Sequence, residues 1–427
     1  MKILWVKAGG LVPLDTGGKI RSFQILKQLS RQNEVTLFTY HAAHPNDAHR
    51  DLESDFAQVL CRPIEVPRNL SLAAAFDFVR CQFLGLPYSI GKYHRRGIAR
   101  ELRRLIERER FDVIVCDFVI AGSVMWWDAP CPKVLFTHNV EATIWKRHYE
   151  VARNPLWKAV CWCEFRAMDR AERRFLHRAD RVLTVSDADK EAFSHVVPPA
   201  KIDVIPTGVD LEYFHPSADK PMPATIVFTG SMDWLPNEDG MLFFIDKIFP
   251  EIRQRIPDAH LRIVGRHPSR RLQEAAARAG NVVVTGRVVD IRPHVWESAV
   301  YVVPLRVGSG TRLKIYEAMA MGKPVVSTTV GAEGLPVEHD RNIVLADTPE
   351  LFASHVADLL QDDPRRDALG RAARQLVEEN YGWKSVGQIF EEILSRVAGK
   401  VSVRDPRGTA APMSWTDPAA DRVDARK

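Results

Sequence analysis

Short runs of β-branched and apolar residues recur along the chain, each followed by a stretch whose apolar positions repeat with helical spacing. The runs predict strands at Ile3–Val6, Val35–Tyr40, Val113–Cys116, Val134–His138, Val182–Ser186 and Val204–Pro206. After a break they resume at Ile226–Gly230, Leu261–Gly265, Val282–Thr285, Tyr301–Pro304, Val325–Ser327 and Ile343–Leu345. Strands that are apolar throughout and separated by helices belong to parallel sheets covered on both faces. Two such series predict an α/β protein of two Rossmann-like, doubly wound domains. The break, His215-Pro216-Ser217-Ala218-Asp219-Lys220-Pro221-Met222-Pro223, is Pro-rich and aperiodic, which reads as a linker. The expected division is 1–214, the linker 215–223, a second domain over 224–380 and a last amphipathic helix within 381–399. A tail, 400–427, is rich in Asp, Arg, Pro and Ala and has little to bury, so it is expected to be disordered.

Composition narrows the class. A chain of 427 residues that is 46% hydrophobic and 26% charged suits two globular domains and excludes a fibre, a disulfide scaffold or a largely disordered protein. No uncharged apolar stretch approaches the roughly 18–20 residues of a membrane-spanning helix. The start, Met1 to Lys7, reads as a first strand and not as a leader, so a cytoplasmic protein is expected. The six cysteines all lie before residue 164 and form no C-x-x-C pair, which points to free structural thiols and no metal. Net charge is +5, and residues 1–200 carry 30 Lys/Arg against 23 Asp/Glu. The excess gathers between Tyr93 and Arg108 and in the helical stretch 153–178. It suggests an anionic partner, such as a membrane surface or a phosphorylated substrate. The same arginines would also serve as solvated helix faces laced by Glu–Arg pairs. Without interleaved aromatics or a known module, nucleic acid is not expected.

In two open α/β sheets that share a linker, ligands bind where the carboxyl ends of the strands face a cleft. Five loops there draw attention. The first, Gly9-Gly10 through Gly17-Gly18 to Arg21, precedes a helix, and its glycines would let backbone N–H groups approach a phosphate or sugar. It is not G-x-G-x-x-G, so a dinucleotide site is not expected, and Gly17-Gly18 would also serve as a plain tight turn. Thr137-His138-Asn139-Val140-Glu141 follows a strand, where His138 would orient a hydroxyl or shuttle a proton. The alternative is that the segment only starts a helix, with Asn139 as its N-cap. Ser186 before Asp187-Ala188-Asp189 reads as an N-cap. Phe228-Thr229-Gly230-Ser231-Met232 opens the second domain and runs into a helix near Asn237, an arrangement that favours a diphosphate. The fifth, Gly308-Ser309-Gly310-Thr311-Arg312-Leu313-Lys314-Ile315-Tyr316-Glu317, ends a strand and starts a helix that closes at Gly322. Its backbone donors with Arg312 and Lys314 would hold a diphosphate, and Glu317 would accept both hydroxyls of a ribose. A Lys314–Glu317 surface salt bridge beside a glycine turn is the plainer alternative.

In their order, these segments resemble glycosyltransferase family 4, the retaining nucleotide-sugar transferases of GT-B fold. The likeness spans about residues 1–397. It rests on the first glycine loop, Thr-His-Asn-Val-Glu, Val-Ile-Pro-Thr-Gly-Val-Asp, Phe-Thr-Gly-Ser-Met and, above all, Gly-Thr-Arg-Leu-Lys-Ile-Tyr-Glu-Ala-Met-Ala-Met-Gly-Lys-Pro-Val-Val. The subset it is most similar to accompanies bacterial exopolysaccharide and exosortase clusters. The resemblance implies a donor bound by the second domain, a saccharide or lipid-linked acceptor bound by the first, and transfer without a metal or resident cofactor. Glu317 matches the second Glu of the family's E-x7-E motif, which holds the donor ribose. The first Glu falls at Ser309, so that motif is broken. The family's diphosphate-clamping Arg and Lys fall at Ser231 and Asn237, both replaced. By spacing, Arg312 and Lys314 would supply the missing charge. His138 matches the histidine of the donor-sugar pocket. Two other readings fit parts of the pattern: a GT-B-shaped nucleotide-sugar epimerase, and a binding protein that kept the fold and lost catalysis.

Overall fold

A computed structural model describes residues 1–14, 16–41, 52–67, 71–152, 154–307 and 313–399. The expected tail, 400–427, and the loop residues Gly308, Ser309, Gly310, Thr311 and Arg312 lie outside the described residues. Two wholly parallel sheets form. The first contains β1 (Lys2–Ala8), β2 (Glu34–His41), β3 (Gln58–Pro63), β4 (Val113–Asp117), β5 (Lys133–Phe136), β6 (Arg181–Thr184) and β7 (Ile202–Val204), in the order 3-2-1-4-5-6-7. The second contains β8 (Thr225–Thr229), β9 (His260–Val264), β10 (Val282–Gly286), β11 (Val300–Val303), β12 (Val325–Ser327) and β13 (Val344–Leu345), in the order 10-9-8-11-12-13. In each sheet the strand order reverses beside the first strand, between β1 and β4 and between β8 and β11. The crevice at such a reversal is where open α/β sheets take ligands.

β3 is the strand that the apolar pattern does not reveal. Gln58-Val-Leu-Cys-Arg-Pro63 sits at the sheet edge, half-buried, so it never needed the continuous apolar run of a central strand. Some expected strands also end early. Thr137 and His138 leave the β5 ladder, and Ile205 and Pro206 leave β7. Freed from the ladder, His138 turns into the crevice instead of across the sheet.

The helix Trp383–Val397 belongs to the first domain's core although it follows the second domain in sequence. Phe390 packs against Trp5 (centroids 5.5 Å) and Phe136 (5.2 Å), and Asn33 Nδ2 donates to Glu391 Oε1 at 2.7 Å. A fully buried ring of this size contributes ~2–3 kcal/mol. The chain therefore crosses between domains twice, and the two crossings lie side by side. Val209 N–H donates to Tyr381 O (2.7 Å) and Trp383 N–H to Val209 O (3.3 Å). At Gly208 a Cβ would sit 2.4 Å from the Trp383 ring, so only glycine fits there.

Candidate active site

The first wall of the cleft is built on a charge buried at the reversal of the first sheet. Asp117 ends β4 and is fully buried. The parallel register sets Lys7 of β1 beside it. Lys7 Nζ donates to Asp117 Oδ2 (2.8 Å) and to Ser22 Oγ (3.0 Å), and Trp5 Nε1 donates to the same Oδ2 (2.9 Å). Oδ1 pairs with His138 Nε2 at 2.7 Å. Burial alone would raise the Asp117 carboxyl, but Lys7 and His138 outweigh it and hold the group below the usual carboxylate range.

His138 is committed at both nitrogens. Arg21 Nη1 lies 3.1 Å from Nδ1, and a guanidinium only donates, so Nδ1 accepts and Nε2 carries the proton given to Asp117. Burial, with Arg21 and Lys7 nearby, pushes the imidazole down to about 4 against the pull of Asp117. The ring is thus neutral at pH 7 and fixed in orientation. The ring therefore holds an orienting position, with both nitrogens bonded within the chain. Arg21 Nη2 donates to Thr207 Oγ1 (2.6 Å), tying the helix Gly17–Leu29 to the segment after β7. Gly18 faces the imidazole, where a Cβ would stand 3.8 Å from Nδ1. At Gly17 a Cβ would stand 3.8 Å from Leu313 Cδ1 of the second domain, so the first glycine loop looks across the cleft at the start of the helix Leu313–Ala320.

The Asn139 cap does not form. The helix Glu141–Val151 has Val140 at its N-cap position, without a side-chain cap. Glu172, from the helix Pro155–Arg178, accepts from the backbone N–H groups of Glu141 (2.8 Å) and Ala142 (3.0 Å) instead. Ser186 does cap its helix, accepting from Asp189 N–H at 3.1 Å.

The second wall gathers around the β8 loop. Gly230 allows a close approach: a Cβ there would meet both Asn237 Nδ2 and Lys314 Nζ at 2.7 Å. Lys314 does not form the surface salt bridge with Glu317. It reaches back to donate to Asn237 Oδ1 (2.7 Å), with its ammonium 4.2 Å from the centre of the Phe228 ring. Asn237 Nδ2 in turn donates to Ser231 O (2.7 Å). Arg266, on the loop after β9, donates from Nε to Ser231 Oγ at 2.8 Å. The two positions that the sequence leaves without charge, 231 and 237, therefore each hold a cation brought from elsewhere: Arg266 from the loop after β9 and Lys314 from the helix Leu313–Ala320. Glu317, less than two turns into its helix, is half-buried, and its carboxylate makes no hydrogen bond or ion pair among the described residues. Burial pushes that carboxyl up to about 7, and Lys314 keeps it from rising further.

The structure thus brings Gly17, Gly18 and His138 to one wall and Gly230, Ser231, Lys314 and Glu317 to the other. Lys7, Arg21, Asp117, Thr207 and Arg266 join these walls without being singled out as site candidates by the sequence. Two signals were there: a lysine inside the apolar run Ile3–Val6 and its continuation, and an acid closing the run Val113–Cys116.

Comparison with known proteins identifies the family. Residues 17–213 match the description Glycosyltransferase Family 4, and residues 223–362 match Glycosyl transferases group 1. The chain belongs to the family 4, group 1 glycosyltransferases. Among relatives of this glycosyltransferase, an uncharacterized 44.6 kDa protein from the cps region of Klebsiella pneumoniae is 23% identical over 406 residues, 92% of this chain and 99% of its own length. A GDP-mannose-dependent alpha-(1-6)-phosphatidylinositol monomannoside mannosyltransferase of Mycolicibacterium smegmatis is 28% identical over 264 residues, covering 55% of this chain and 67% of its own. The crystal structure of Anabaena HepE in complex with UDP superposes with a TM-score of 0.65 at 17% identity, over 93% of this chain and all of that one. At that identity the likeness speaks for the fold, which is GT-B.

Proposed function

We propose that this glycosyltransferase moves a sugar, with retention at the anomeric carbon, from a nucleotide-diphosphate donor to a saccharide or lipid-linked acceptor of cell-surface or exopolysaccharide biosynthesis. The observation behind this reading is Glu317: a half-buried carboxylate without a partner among the described residues, one helical turn from a lysine that reaches the β8 loop. A ribose diol offers two O–H donors to such a group. Lys314 and Arg266 then stand where the donor diphosphate would lie, together with the N-terminus of the helix Leu235–Phe243. As the anomeric bond breaks, negative charge builds on the departing diphosphate, and these cations stabilise it without a metal. His138, neutral and held between Arg21 and Asp117, shapes the pocket for the sugar. The acceptor approaches from the first domain past Gly17 and Gly18, and the basic first half favours an anionic membrane surface close by. The cps-region relative suits a polysaccharide pathway.

The relatives do not agree on the base: the mannosyltransferase is named for GDP-mannose and HepE was crystallised with UDP. A thermal-shift panel of UDP-, GDP-, ADP- and dTDP-sugars on wild type and Glu317→Ala tests the reading. The expected result is a rise in midpoint with one nucleotide class that disappears in the variant. No shift with any donor on folded protein, or a shift that survives in Glu317→Ala, overturns the assignment.

A further inference from the structure

The helix Leu72–Phe83 carries apolar residues on both faces. Its protein-facing side buries Ala74, Cys81 and Asp77, which accepts from Arg80 Nε at 2.6 Å, and Arg80 also donates to Gly91 O at 3.2 Å. Its solvent side holds Leu72, Phe76, Val79 and Phe83, which are 92%, 75%, 50% and 88% exposed. These four stand at i, i+4, i+7 and i+11, one continuous stripe along about 18 Å of helix, and no charged residue interrupts it. A surface helix of a soluble domain keeps its solvent face polar, and this one does not. Scattered exposed apolar residues need no explanation, but an aligned stripe does.

The surroundings say what would cover it. From Ser71 to Arg108 the chain carries eight Lys/Arg against three Asp/Glu. The helix Pro155–Arg178 is tied to the same unit through Glu164, which accepts from Tyr88 N–H (2.7 Å) and Gln82 Nε2 (3.5 Å). It exposes Leu156, Trp157 and Trp162, with Lys158 and Arg166 between and after them. Apolar and aromatic tips set among Lys and Arg match the interface of an anionic bilayer, where rings sit at the headgroup level and cations meet phosphate. No helix among the described residues is long and apolar enough to cross a membrane, so the contact would lie along the surface.

We propose that Leu72–Phe83 is a surface anchor that lays its apolar stripe into the headgroup boundary of an anionic membrane. The proposal deepens the membrane reading given above and rests on it, and it relocates the contact. The helix Arg96–Arg108 spends part of its charge internally: Arg103 pairs with Glu107 (2.8 Å) and stacks on Trp126, and Arg62 takes Glu101 (2.6 Å). The anchor follows β3 in the chain, and beyond it His94 Nδ1 donates to Ser123 O (3.1 Å) just past β4. Both strands end at the cleft, so docking would set the acceptor side of the cleft at the lipid surface.

Co-sedimentation with vesicles of phosphatidylcholine containing about 30 mol% phosphatidylglycerol tests this on the full chain. Wild type is expected to bind these vesicles and to bind pure phosphatidylcholine much less. The double variant Phe76→Ser, Phe83→Ser is expected to lose about tenfold or more of that binding while keeping the donor-induced thermal shift of wild type. A separate variant, Phe76→Trp, adds a second readout, a blue-shifted emission when vesicles are present. Absence of vesicle binding by wild type, equal binding by the double variant, or an F76W emission that vesicles leave unchanged overturns the proposal. So does self-association of wild type that the double variant abolishes, because a second copy would then be the occupant. The donor thermal shift is read on the same samples, so failure of the anchor and failure of the donor site remain separate results.

Discussion

The two walls of the cleft use charge in opposite ways. On the first wall the strong groups are largely spent: Asp117 accepts from Trp5, Lys7 and His138, and Arg21 is divided between His138 and Thr207, with only its Nε buried and unbonded. On the second wall the Glu317 carboxylate has no partner among the described residues, and Lys314 and Arg266 donate to neutral amide and hydroxyl groups. A network satisfied in the apo protein fixes geometry, because any rearrangement would strand a buried charge. A carboxylate left without a partner is free to gain one from a ligand. In the function proposed above, the first wall is therefore the frame and the second the face offered to the donor.

Breaking that contrast should produce effects of very different kinds. The largest concerns Glu317→Ala, expected to lower kcat/KM by about a hundredfold or more while leaving the unfolding midpoint of the apo protein near wild type, read by steady-state kinetics and calorimetry. Asp117→Ala should do the reverse and act first on stability. It leaves Lys7 buried without its counter-ion, at a cost of about 3–5 kcal/mol in urea unfolding; a near-neutral value would show that the first wall is not a frame. Lys314→Ala should lower kcat by about ten- to a hundredfold with little change in stability, and Arg266→Ala, at an exposed site, by several-fold with a weaker salt dependence of donor binding.

The smallest effect is a pH dependence. Glu317 has a folded value raised to about 7, so its contribution to apo stability is present below its ordinary 4.5 and is lost as pH rises through 7. Ribose hydroxyls donate to the ionised form, so affinity for a nucleotide sugar, whose diphosphate does not titrate in this range, should rise several-fold from pH 6 to pH 8. Isothermal titration on wild type and Glu317→Gln separates this from other groups, since the Gln variant should show no such slope.

Much of this was legible before the structure. Central strands announce themselves because a strand buried on both faces must be apolar throughout, and the cap at Ser186 follows from one hydroxyl before a helix. Edge strand β3 is half-wet and escapes that logic. The first wall escapes for another reason: Lys7 and Asp117 are separated by 110 positions, and only the β1–β4 register sets them together. The relocated cations at Ser231 and Asn237 are likewise a matter of which elements converge. The stripe on Leu72–Phe83 repeats with ordinary helical spacing; what the sequence could not say is that Ala74, Asp77 and Cys81 are the side turned inward.

The paired crossings at Val209 and Gly382 have a mechanical consequence. Two strands bonded edge to edge behave as a two-ply strap, soft to bending and stiff to sliding or twisting. Such a strap would favour a swing between the halves of the enzyme over sliding, with Gly208 and Gly382 lying at the bridge. Gly208 has no room for a side chain beside Trp383, and at Gly382 a Cβ would stand 2.7 Å from Leu211 Cδ1. Bulk added at either position would wedge the strap, and small-angle scattering with and without donor would show the swing narrowed.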